Sequence, residues 1–141
     1  MRIAKVTMAA VLSLALCPTV VACSDRAQEA KTFARAACNK QALDQAGGLG
    51  QSDISYFVIR QRAGNQFQVF SQAQGAAAKA ASRDPRWNDL LESIVDLIGT
   101  TATISTSGSG DEPFNIGPDI SNRYNDAKTK YDSACAVANA N

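Results

Sequence analysis

The side chains that carry most enzymatic and metal chemistry are sparse in this chain of 141 residues. It has no histidine, which removes the commonest general base and the commonest metal ligand. A serine nucleophile would then need a lysine or a similar partner. No serine–lysine motif surrounds Lys31, Lys40, Lys79, Lys128 or Lys130. Asp89, Glu92 and Asp96 form a carboxylate series at i, i+3 and i+7. Such a series can do acid–base work or hold a hard cation, but its ordinary use is a solvated helix face. Asp111-Glu112 stands in a Gly/Ser stretch without the alternating ligand pattern of a calcium loop, so a plain loop is expected. Ala46-Gly47-Gly48-Leu49-Gly50 lacks the Lys-Ser/Thr of a phosphate loop and follows no strand, so a turn is expected there.

Aromatic and arginine residues offer two further candidates. Tyr56, Phe70, Trp87 and Tyr124, with alanines opposite them, are the residues that would line a ligand cavity between helices. Their seam spacing favours plain core packing, as it does for Phe67 and Tyr131. Arg83 and Arg86 flank Asp84-Pro85, and Arg60 and Arg62 lie mid-helix. They would meet an anionic lipid or partner, or serve as surface charge.

The N-terminus has the order of an export signal. Arg2 and Lys5 are followed by an uncharged apolar core from Val6 to Leu16, then Pro18 and small residues. That core is shorter than the roughly 20 apolar residues needed to cross a bilayer. Extension to Cys23 would allow an uncleaved anchor, against which Pro18 and the small residues argue. Val20-Val21-Ala22-Cys23 resembles the lipobox of bacterial lipoproteins, with Val20 where that class most often has Leu. The resemblance covers the first 23 residues and implies cleavage before Cys23, with lipid, palmitate included, on that residue. The alternative is ordinary secretion, cut after Ala22, with Cys23 left as a thiol.

Under the lipoprotein reading the four cysteines divide cleanly. Cys17 leaves with the signal peptide, Cys23 carries lipid, and Cys38 and Cys135 remain as one pair. An oxidising compartment favours a bond between them; two separate buried thiols are the alternative. Zinc is disfavoured with two cysteines and no imidazole, and no cofactor is expected.

The full chain carries 14 basic and 13 acidic residues, and loss of Arg2 and Lys5 leaves the mature chain near minus one. No basic excess exists to drive nucleic-acid binding. A mature chain of about 120 residues suits one domain. Abundant alanine with only 6% aromatics favours close-packed helices.

The elements follow from periodicity. Ser24 to Gln45 reads as a first helix, with Asp25 and Gln28 as a capping-box-like start and Ala30, Phe33, Ala34, Ala37 and Cys38 on one side. Lys31, Arg35 and Lys40 fall mainly elsewhere. Between Ser52 and Ser82 one long helix is expected from the seam Tyr56, Ile59, Ala63, Gln66, Phe70, Ala73, Ala77 and Ala80, with a bend at Gly64. The competing reading is a β-hairpin over 53–72, giving an α+β fold. Asp84-Pro85 opens a third helix with Trp87, Leu90, Leu91, Ile94, Val95, Ile98 and Thr101 inward, fraying from Thr100 to Ser107. After a loop, Gly117-Pro118-Asp119 opens a last helix with the seam Ile120, Tyr124, Ala127, Tyr131, Ala134 and Ala138 and with Cys135 beside it.

The expected architecture is an all-α antiparallel four-helix bundle, residues 35–141, after a signal peptide, residues 1–22. For Cys38 to meet Cys135 the first helix would slide, leaving residues 23–34 as a lipidated stalk. The expected function is that of an exported, lipid-anchored, non-catalytic module at the cell envelope, held on the membrane by Cys23 and binding another protein. A carrier of a small apolar ligand or lipid in the bundle core and a freely secreted helical protein are the alternatives. A hydrolase using carboxylates alone is the weakest reading.

Overall fold

The computed structural model describes residues 20–38, 56–107 and 116–141. The export segment before Val20, the glycine run, residues 53–55 and Asp111-Glu112 lie outside the described residues. Four α-helices, with no strand, occur among the described residues: α1 (Val20–Ala37), α2 (Tyr56–Arg83), α3 (Asn88–Thr106) and α4 (Pro118–Asn139).

The long second helix is continuous. Ile59, Ala63, Gln66, Phe70, Ala73, Ala77 and Ala80 are all buried along it. This overturns the hairpin alternative across 56–72. The apolar set repeats with the helical period, so one side of a helix buries it whole, whereas a period of two would have split it between faces. Phe57 and Phe67, two of the residues that gave the stretch its strand-like look, are left exposed.

Asp84 reverses the chain. Its backbone is extended, and its carboxylate accepts from the Arg86 N–H at 3.1 Å. Pro85 starts a short 3-10 turn, Pro85–Trp87, where its missing N–H costs nothing. On α3 the buried stripe is Leu90, Ser93, Ile94, Leu97, Thr100, Thr101 and Ile104. Leu97 and Ile104 thus join the expected face, and Val95 is corrected to an exposed position. Nor does α3 fray from Thr100: it stays helical to Thr106. The hydroxyls of Thr100, Thr101, Ser105 and Thr106 each donate to a carbonyl three or four residues back. That pairing satisfies the buried hydroxyls within the helix. On α4, Pro118 occupies the first turn, and Tyr124, Ala127, Tyr131, Cys135 and Ala138 are buried as expected.

Contacts between the helices give an antiparallel sequence of neighbours. Arg26 donates to the Ser82 carbonyl at 3.4 Å, and Glu29 pairs with Arg83 at 2.9 Å, so the start of α1 lies beside the end of α2. Arg60 donates to the Ser105 carbonyl, joining the start of α2 to the end of α3. Arg123 lies 3.8 Å from Asp96, between α4 and α3. The Cys38–Cys135 bond returns α4 to α1. Across the diagonal, Tyr124 donates to Gln66, and Phe70 packs edge-on against Tyr131.

The expected stalk is corrected in extent. At 1.5 Å per residue, the 28 residues of α2 span about 42 Å and the 22 of α4 about 33 Å. Helix α1 does run past the end of α4, as the bond requires, but it runs there along the longer α2. Arg26 and Glu29 already touch α2, and Ala30, Ala34 and Ala37 are fully buried. Packing of the domain therefore begins well before residue 35. The helix ends at Ala37, short of the expected Gln45; residues 39–45 lie outside the described residues. Lys31 and Arg35 are not idle surface charges: Lys31 donates to the Ala140 carbonyl, and Arg35 to those of Ala138 and Ala140. Cations there satisfy the terminal carbonyls of α4 and complement the negative end of its dipole.

Candidate functional site

The cysteines separate by environment. Cys38, just past the end of α1, is bonded to Cys135 on α4, with Cα atoms 5.5 Å apart and a sequence separation of 97. Cys135 is buried beside the seam that periodicity assigned to the last helix. Cys23 lies near the start of α1, exposed and outside any disulfide. Cys17 lies outside the described residues.

Three of the four aromatic candidates are core residues. Phe70 is fully buried, with its ring centroid 5.4 Å from that of Tyr131. Tyr124 is buried and donates its hydroxyl to Gln66 Oε1 at 3.1 Å. Burial pushes the Tyr124 hydroxyl above the ordinary tyrosine range, and the Asp132 charge adds to the rise. Gln66, the one polar member of the α2 seam, is buried, and its Nε2 has no hydrogen-bond partner among the described residues. The sequence showed this polar interruption but not the tyrosine that answers it. The side chain of Tyr56 lies outside the described residues.

The charged candidates are mostly engaged within the chain. Asp89 and Glu92 are exposed, and Asp96 faces Arg123. No metal-holding group of His, Cys, Asp and Glu side chains occurs among the described residues. Arg83 pairs with Glu29 and sits 4.7 Å from the centre of the Phe33 ring, with Lys79 at 5.6 Å from the same ring. The hydrogen bond from Arg83 is the main cause holding the Glu29 carboxyl below its usual value. Arg86 pairs with Asp84 at 2.6 Å and lies 5.6 Å from the centre of the Trp87 ring. Arg60 is held by the Ser105 carbonyl, and Arg62 is half-buried on α2.

The structure adds a site that sequence reasoning did not find. A groove of about 350 Å³ runs between the start of α3 and one side of α4. Arg86, Trp87 and Asp89 form one wall; Thr129, Lys130, Ser133, Ala134 and Val137 form the other. Of the expected cavity residues whose side chains are described, only Trp87 borders it. The α4 wall recurs at i, i+1, i+4, i+5 and i+8, a helical face that adjoins the buried seam and shares Ala134 with it. Its one strong signal was Val137, an apolar residue off the seam, which is 58% exposed. Trp87 itself is 2% exposed, and its indole N–H has no acceptor among the described residues. A buried donor left in that state costs about 1–3 kcal/mol.

No helix among the described residues is long and apolar enough to cross a membrane. No protein-family model, curated protein or solved structure matches the chain.

Proposed function

We propose that the chain is exported and anchored by lipid on Cys23 to the extracytoplasmic side of a bacterial membrane, where its helical bundle acts as a non-catalytic module that binds another protein. One observation carries the reading. With Cys38 and Cys135 bonded to each other, the remaining described cysteine is exposed and directly follows Val20-Val21-Ala22. A structural disulfide also suits an oxidising, extracytoplasmic compartment. The test is the intact mass of the protein extracted from membranes, before and after reduction. The expected mass is residues 23–141 plus lipid, rising by two hydrogens on reduction. A bare chain with a free thiol at Cys23 overturns the anchored reading and leaves a freely secreted protein.

A further inference from the structure

We propose that the groove between the start of α3 and α4 binds a small anionic amphiphile, a single negative head on a short apolar body. Its volume, about 350 Å³, lies within the roughly 300–1,000 Å³ of small-molecule sites. Trp87, Ala134 and Val137 give it an apolar surface, and Val137 stays 58% exposed. Arg86 and Lys130 bring two cations to the same groove against one carboxylate, Asp89. Arg86 is already paired with Asp84, whereas Lys130 makes no ion pair among the described residues. The unspent positive charge therefore sits at Lys130, on the α4 wall. A cationic head would meet Arg86 and Lys130, and a neutral one would leave Lys130 uncompensated. This site differs from the bundle-core cavity expected from the aromatic residues, and it does not depend on whether the chain is anchored.

Trp87 is the sole tryptophan of the chain, so its emission reports occupancy directly. The full chain carrying Cys23→Ser, which cannot be acylated there, is titrated with decanoate, decyl phosphate, decanol and decyltrimethylammonium. The expected result is a saturable change in Trp87 emission with the anions. Lys130→Glu, at an exposed position, weakens their binding about tenfold, the loss of one charge-assisted contact. Val137→Asp weakens it comparably by removing apolar surface and adding like charge. Tighter binding of decanoate identifies a carboxylate head, and tighter binding of decyl phosphate a phosphate head. Equal saturation by decanol or decyltrimethylammonium overturns the proposal. So does anion binding that neither substitution changes, or no response to either anion.

Discussion

Tyr131 donates its hydroxyl to the carbonyl oxygen of Ala37 at 3.0 Å, across 94 residues of sequence. The acceptor is the last residue of α1, immediately before Cys38, and the donor lies one turn before Cys135 on α4. A non-covalent tie thus stands beside the covalent one. It is buried, so removing the hydroxyl takes this partner from a carbonyl shielded from water. Tyr131→Phe is expected to lower stability by about 1–2 kcal/mol, read as a shift in the denaturant midpoint of oxidised protein. An unchanged midpoint would show that the hydrogen bond contributes nothing net.

The disulfide joins cysteines at a sequence separation of 97. In the chain-entropy description closing that loop stabilises by at most about 4–5 kcal/mol. Replacing both Cys38 and Cys135 with Ala is expected to lower the melting temperature strongly, and reducing agent should reproduce most of the drop in the unmutated protein. A reductant-insensitive melting curve would count against a role for the bond in holding α1 to α4.

Gln66 and Tyr124 form a pair whose two members should respond differently to replacement. Tyr124→Phe leaves the buried Gln66 amide without its one observed partner and is expected to cost about 1–3 kcal/mol. Gln66→Leu combined with Tyr124→Phe removes both polar groups and should recover most of that loss. A double-mutant cycle measured by chemical denaturation decides the point: strict additivity of the two changes would rule out the coupling.

The same tyrosine predicts a pH dependence. Burial raises the folded pKa of Tyr124 above the usual tyrosine value near 10. The unfolded chain therefore releases this proton first as pH rises. The stabilisation is fully present below the unfolded pKa and is lost as pH climbs through the raised folded value. Stability of the unmutated protein should fall more steeply above pH 10 than that of Tyr124→Phe. Parallel stability–pH curves for the two proteins would refute this.

Gly64 and Gly75 stand inside α2 without a steric need for glycine. A Cβ built at either position meets no atom within 4 Å, and neither has a positive φ. The bend expected at Gly64 does not end or interrupt the helix. Gly64→Ala and Gly75→Ala are each expected to stabilise by up to about 1 kcal/mol, through helix propensity and a less flexible unfolded chain. Destabilisation by either, measured by thermal unfolding, would show a contact that the helix alone does not reveal.

The all-α class and the inward faces of α2 and α4 were legible because a heptad-like seam survives one polar residue. Ile59 through Ala80 and Tyr124 through Ala138 lie where spacing put them. The start of α3 was legible from local chemistry alone, since Asp84 and Pro85 act within three residues. What local reasoning missed was tertiary. Helix propensity marked Thr100 to Thr106 as weak, yet hydroxyl-to-carbonyl bonds and burial keep them helical. Lys31 and Arg35 read as polar-face residues because their acceptors, Ala138 and Ala140, lie over 100 residues away. The extent of α1 packing was missed because the stalk was placed from the Cys38–Cys135 pairing alone, whereas α2 outruns α4 by six residues, 28 against 22, and gives the start of α1 a surface to pack on. The groove beside Trp87 needed the relative placement of two helices, which no single periodicity encodes.

The Cys38–Cys135 bond also divides the chain mechanically. A pull applied between Cys23 and Asn141 passes along α1 to Cys38, across the sulfur bridge to Cys135, and out through the last turn of α4. Helices α2 and α3 and most of α4 lie inside the closed loop and bear none of that tension as extension. Fully stretched, the oxidised chain reaches roughly 70 Å, against roughly 400 Å once the bridge is reduced. Held at one end and tugged at the other, the oxidised protein behaves as a short tether carrying a sealed body, and redox state sets its reach.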